Sequence, residues 1–118
     1  MNRIALLLTV TLGLLLAACG KPLPPDKISY GGEWRGTNMR LVITPDGMVE
    51  YKRQRDSGSV EINAPIKRFD GDNIVVGAGP FDTTFVVTKP PYQDEGRWKM
   101  TVDGVELTRA GGADEART

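Results

Sequence analysis

The chain of 118 residues has no histidine, a single cysteine and no net charge, with 15 basic side chains set against 15 acidic ones. Without histidine there is no Ser-His-Asp or Cys-His catalytic arrangement and no imidazole zinc site. One cysteine cannot close a disulfide within the chain. Balanced charge without a basic block leaves no electrostatic footprint for nucleic acid. Aromatic residues are also few, at 7%, and no helical periodicity is sustained beyond the first eighteen residues. The length suits one small domain.

What is present is unevenly spread. Positions 4–18 (IALLLTVTLGLLLAA) hold 12 apolar residues in 15, after Met1 and Arg3. A short positive start, an apolar run and a small-residue exit read as an export signal. The thirteen residues from Ile4 to Leu16 would rise only about 20 Å as a helix, too short for a lasting span of about 30 Å of hydrocarbon. The run closes on Leu16-Ala17-Ala18-Cys19-Gly20.

Leu16-Ala17-Ala18-Cys19 resembles the lipobox of bacterial lipoprotein precursors at all four positions. The resemblance covers about the first 20 residues. It implies cleavage between Ala18 and Cys19 and lipid attachment to the Cys19 thiol, which is nucleophilic as a thiolate. It also implies acylation of the new N-terminus, so that two or three chains anchor firmly where one binds marginally. Gly20, being other than Asp, implies the periplasmic face of the outer membrane if the source is Gram-negative. A secretory signal with a coincidental cysteine, or a buried free thiol, is the alternative.

Residues 19–31 carry three prolines among Gly20, Lys21, Asp26 and Lys27, and read as a lipidated cysteine followed by an extended tether. Residues 110–118 (AGGADEART) offer nothing to bury and read as a disordered tail. Between them, 32–109 reads as strands.

Arg97 to Arg109 alternates strictly around Asp103-Gly104, a pair suited to a type I′ turn. A two-residue loop places Val102 opposite Val105, Met100 opposite Leu107 and Trp98 opposite Arg109, with Lys99, Thr101, Glu106 and Thr108 on the solvated face. In Met39–Arg53, Pro45-Asp46-Gly47 predicts a three-residue loop that pairs Ile43 with Val49 and Leu41 with Tyr51, and outside them Arg40 with Lys52 and Val42 with Glu50. Val60, Ile62, Ala64 and Ile66 alternate, after which Phe69 falls out of phase, predicting a bulge near Pro65–Arg68. Ile74-Val75-Val76 and Thr83–Thr88 are further strands, the second stopped by Pro90-Pro91. The expected fold is all-β: an antiparallel meander of six to eight short strands forming a small barrel or sandwich after a cleaved helical signal peptide.

Gly32-Glu33-Trp34 at the start of the first strand resembles the Gly-x-Trp signature of lipocalins and related calycins. That resemblance implies a tryptophan closing one barrel end with an arginine from a late strand over it, here Arg109 or else Arg97. An ordinary core role for Trp34 is the alternative, and a body half the usual lipocalin length leaves little volume for a ligand.

Other patterns point to turns or solvated faces. Asp70-Gly71-Asp72-Asn73 starts like a calcium loop but lacks the glycine at the sixth position and the glutamate at the twelfth, where Phe81 stands. Lys52, Arg53, Arg55, Lys67 and Arg68 are interleaved with Glu50, Asp56 and Glu61. Gly77-Ala78-Gly79-Pro80 lacks the lysine of a phosphate loop.

These features imply a lipid-anchored envelope protein with a non-catalytic binding or structural module facing the periplasm. No cofactor, metal or nucleic acid is expected, and an envelope protein or polymer is the expected partner. A calycin-like carrier of a small apolar ligand is the second reading. An inhibitor of an envelope-directed hydrolase, or a small hydrolase, is the third.

Overall fold

The computed structural model describes residues 21–110. The signal segment 1–18, Cys19 with its cleavage point, and the tail from Gly111 onward lie outside the described residues.

Nine antiparallel strands make one sheet: β1 (Gly32–Gly36), β2 (Met39–Ile43), β3 (Met48–Arg55), β4 (Gly58–Asp70), β5 (Asn73–Ala78), β6 (Phe81–Phe85), β7 (Val87–Asp94), β8 (Arg97–Val102) and β9 (Val105–Ala110). Their order is β6-β5-β4-β3-β2-β1-β9-β8-β7. Every neighbouring pair is also consecutive in the chain except β1 and β9. The two outermost strands, β6 and β7, are joined through Val86 alone. The sheet curls into a half-barrel whose two outermost strands are joined end to end at Val86, which gives the expected all-β, barrel-like meander.

The count exceeds six to eight because the run from Phe81 to Asp94 is interrupted at Val86. There the Val86 N–H donates to Asp103 Oδ1 at 2.9 Å, and the Val86 carbonyl accepts from the Asp103 N–H at 2.8 Å. At the next residue, the Val87 N–H turns back to Asn73 Oδ1. The chain thus changes partners over two residues, from β5 to β8.

Both hairpin registers follow the alternation of apolar residues. Ile43 pairs with Val49, Leu41 with Tyr51, Arg40 with Lys52 and Val42 with Glu50. Gly47 takes the left-handed position (φ 83°), and its N–H donates to the Thr44 carbonyl. Val102 pairs with Val105 and Met100 with Leu107, around Asp103 and Gly104 at φ 49° and 81°. Register decides burial here, since a slip of one residue would turn every apolar side chain outward. The bulge in β4 falls between Ile66 and Arg68.

Three expectations are corrected. Pro90-Pro91 does not stop a strand, because β7 continues through both prolines to Asp94, with register shifts between Val87 and Lys89 and between Lys89 and Tyr92. β7 lies at the edge of the sheet, where a missing N–H costs no ladder bond. The tether does not extend to Gly31. Pro25–Tyr30 forms a 3-10 turn, Tyr30 is 2% exposed, Leu23 packs against the core and its N–H donates to the Pro45 carbonyl. Proline at the start suits such a turn, and two short 3-10 turns are too brief to show an apolar periodicity. Finally, Ala110 belongs to β9 and pairs with Glu33 rather than starting a tail.

One apolar cluster fills the concave face, with Trp34, Leu41, Ile43, Val49, Ile74, Val76, Phe85, Met100, Val102 and Leu107 among its buried members. Tyr51 and Phe85 meet at 4.7 Å between ring centroids. No polar or charged residue is buried among the described residues.

Candidate functional site

Gly32, Trp34 and Arg109 come together where β1 meets β9. Trp34 and Arg109 are directly opposite in the ladder. The Arg109 guanidinium carbon lies 4.9 Å from the Trp34 ring centroid and 4.9 Å from that of Trp98, so the cation contacts both indoles. Gly32, at φ 129°, makes this possible: a β-carbon there would stand 3.2 Å from Arg109 Nε and 3.3 Å from its Cδ. Arg97, the other candidate, is exposed and pairs with Asp94 in the β7–β8 ladder.

The same end is covered by the 3-10 turn. The Trp34 indole N–H donates to the Tyr30 carbonyl at 2.9 Å. The Tyr30 hydroxyl donates to the Asp72 carbonyl at 2.9 Å, and its ring meets Phe69 edge-on at 5.2 Å. Arg109 donates to the Ser29 carbonyl, while its Nε is buried without an acceptor. Lys27 lies 5.6 Å from the centroids of both Tyr30 and Phe69 and 3.9 Å from an Asp72 carboxylate oxygen. Burial, then the charges of Asp72 and Asp26, push the Tyr30 hydroxyl pKa up to about 12. Burial also lowers the Arg109 pKa.

This arrangement holds a cap by π-stacking and backbone hydrogen bonds. Sequence reasoning had placed Arg109 with Trp34 and, separately, opposite Trp98, but had not joined the two indoles around one guanidinium and missed Tyr30. The available signal for Tyr30 was a lone tyrosine following the prolines, just ahead of Gly31-Gly32.

The opposite end is different. The β5–β6 turn and the β3–β4 turn lie there. Phe81 is 77% exposed and Val60 is also open to solvent, as is Val86 at the other end of β6, beside Asn73 and Asp103. β6 ends the sheet order, so one side of its backbone has no ladder partner. Because Val86 bonds outward to Asp103, the alternation of a strand turns the backbone groups of Thr84 and Asp82 to that same open side. The Asp82 carboxylate is occupied by Lys67 at 2.6 Å and Arg68 at 3.7 Å. Those contacts hold its pKa below the usual range, with the Lys67 hydrogen bond the largest cause.

The remaining candidates resolve into structural roles. Asp70 pairs with Asn73 across a two-residue turn, and Ala78 pairs with Phe81 across Gly79-Pro80. Lys67 and Arg68 converge on Asp82 while Lys52 stands between Arg40 and Glu61, so the five cations do not gather. Glu33 accepts from Arg35 and Arg40, and these hydrogen bonds, Arg40's first, lower its pKa. No cluster of three or more potential metal ligands occurs among the described residues. No family model, no curated protein and no solved structure matches the chain.

Proposed function

We propose that this is a lipid-anchored protein of the bacterial envelope whose β domain is a non-catalytic binding module facing the periplasm. Cys19 carries the anchor after cleavage behind Ala18, at the periplasmic face of the outer membrane in a Gram-negative source. Support for the address comes from Leu16-Ala17-Ala18-Cys19 following an apolar run. The observation that carries the binding reading is the β6 edge, where Phe81 is 77% exposed beside backbone groups with no strand to pair with. An exposed edge accepts an extended segment of another protein as an added strand, with main-chain hydrogen bonds supplying affinity. Such an edge is a hazard unless it is blunted or used. β7 is blunted by Pro90, Pro91 and two register shifts. β6 is not.

The test compares the immobilised wild-type domain with Thr84→Pro on envelope extract. Proline at this outward-facing position removes an edge donor without removing a bond to β5. Loss of a retained protein with circular dichroism unchanged is the expected result. Equal retention by both would refute the edge as the binding site. The address is tested by Cys19→Ser, which should lose the lipid mass and leave the membrane fraction.

The geometry of Gly32, Trp34 and Arg109 favours one alternative, a calycin-like carrier of a small apolar ligand. Titration of Trp34 and Trp98 fluorescence with fatty acids and porphyrins would show saturable quenching in that case. If the domain instead inhibits an envelope-directed hydrolase, that hydrolase would appear among the retained partners.

A further inference from the structure

We infer that the capped end of the barrel lies directly against the lipid bilayer, with Ile28 at the contact, and that the β6 edge points away from it. The inference rests on the lipid-anchor reading of Cys19. Its structural basis is where the folded domain begins. The chain is already docked at Lys21: a β-carbon on Gly47 would collide with the Lys21 carbonyl oxygen, and two residues later the Leu23 N–H is bonded to Pro45. Only Gly20 lies between Cys19 and Lys21. The two residue steps from one to the other reach no further than about 7 Å. A spacer of that length cannot let the domain turn over, so the end that receives it must face the membrane.

The surface at that end is the 3-10 turn, where Ile28 is 64% exposed beside the exposed Pro24 and Pro25. Around it, the exposed acids Asp26, Asp46, Asp70, Asp72, Asp94 and Glu95 outnumber the cations Lys21, Arg97 and Lys27, the last paired with Asp26 and Asp72. Such a rim is repelled by anionic headgroups. Apposition is therefore imposed by the acyl chains, and the domain without its lipid has no affinity of its own for an anionic bilayer. Phe81 and the β3–β4 turn stand at the far end, where a periplasmic protein can reach them.

The experiment uses the full lipidated chain in phosphatidylethanolamine/phosphatidylglycerol vesicles, with Ile28→Cys or Phe81→Cys carrying a fluorophore and doxyl-labelled lipid as quencher. Both positions are solvent-exposed, so labelling leaves the core intact. Mass spectrometry first establishes the lipid on Cys19; its absence would remove the anchor reading and this inference with it. With the lipid present, quenching at position 28 should exceed that at position 81 several-fold. Equal quenching, or stronger quenching at 81, would overturn the orientation and leave the anchor standing. Vesicle binding by the unlipidated Cys19→Ser domain would show an affinity that the acidic rim forbids, and would equally overturn the account.

Discussion

The two ends of the barrel are built on opposite terms. At the capped end, Trp34 is fully buried, Arg109 lies on two indoles and Tyr30 reaches across to Asp72. At the other end, Phe81 stands in solvent beside an unpaired strand edge. Aromatic residues serve both ends, yet the first group contributes to stability and the second is left available. The difference teaches that exposure here follows position in the sheet rather than residue type.

The largest expected effect that can break this comparison is Trp34→Ala, which should destabilise by about 3–5 kcal/mol in chemical denaturation, as large-to-small core changes do. Phe81→Ala at the far end should stay within about 0.5 kcal/mol. Comparable losses at both sites would erase the distinction. Arg109→Ala removes a cation from two rings and a donor from the Ser29 carbonyl, and should cost about 1–3 kcal/mol. Arg97→Ala, an exposed change, serves as its control.

Gly47→Ala sharpens the comparison by acting on the cap from outside the core. A left-handed φ and a collision with Lys21 should together cost more than about 1 kcal/mol. Protease cleavage should then begin ahead of β1, and an intact N-terminal segment after digestion would argue against the docked cap. The smallest effect is in alkali. Tyr30 is an acid whose folded pKa of about 12 stands above its ordinary 10.0. The stabilisation from its neutral form is complete below pH 10 and is lost as pH rises through about 12. Absorbance titration should show a late phenol that Tyr30→Phe removes.

Much of the strand pairing was legible, for a reason visible in two hairpins. Asp103-Gly104 and Pro45-Asp46-Gly47 each demand a loop length, and each loop length aligns apolar residues on one face. Local chemistry and burial agree there, so either alone would have led to the register. The bulge at Lys67 was legible from Phe69 falling out of phase. The cap was not. Its stability comes from partners distant in sequence, Asp72 for Tyr30 and Pro45 for Leu23, and its prolines suit a spacer as well as a turn. Pro90 and Pro91 misled because their tolerance depends on β7 being an edge, which is a property of the whole sheet. Of the candidate site, Trp34 and Arg109 were visible, whereas the contact of one guanidinium with both indoles required β1, β8 and β9 to be assembled.

The pairing of β1 with β9 also sets an order in time. Every other ladder joins strands that are consecutive in the chain, so each hairpin can form soon after its own residues are available. The β1–β9 ladder alone must close a loop of most of the domain, and it does so between the first strand and the last. Whether the chain emerges from a ribosome or through a membrane pore, Trp34 appears early and waits uncovered for Arg109. Until the last strand arrives, the most apolar part of β1 is exposed to whatever else is nearby. A chaperone or a pause in emergence would therefore matter most during the interval before β9 is released.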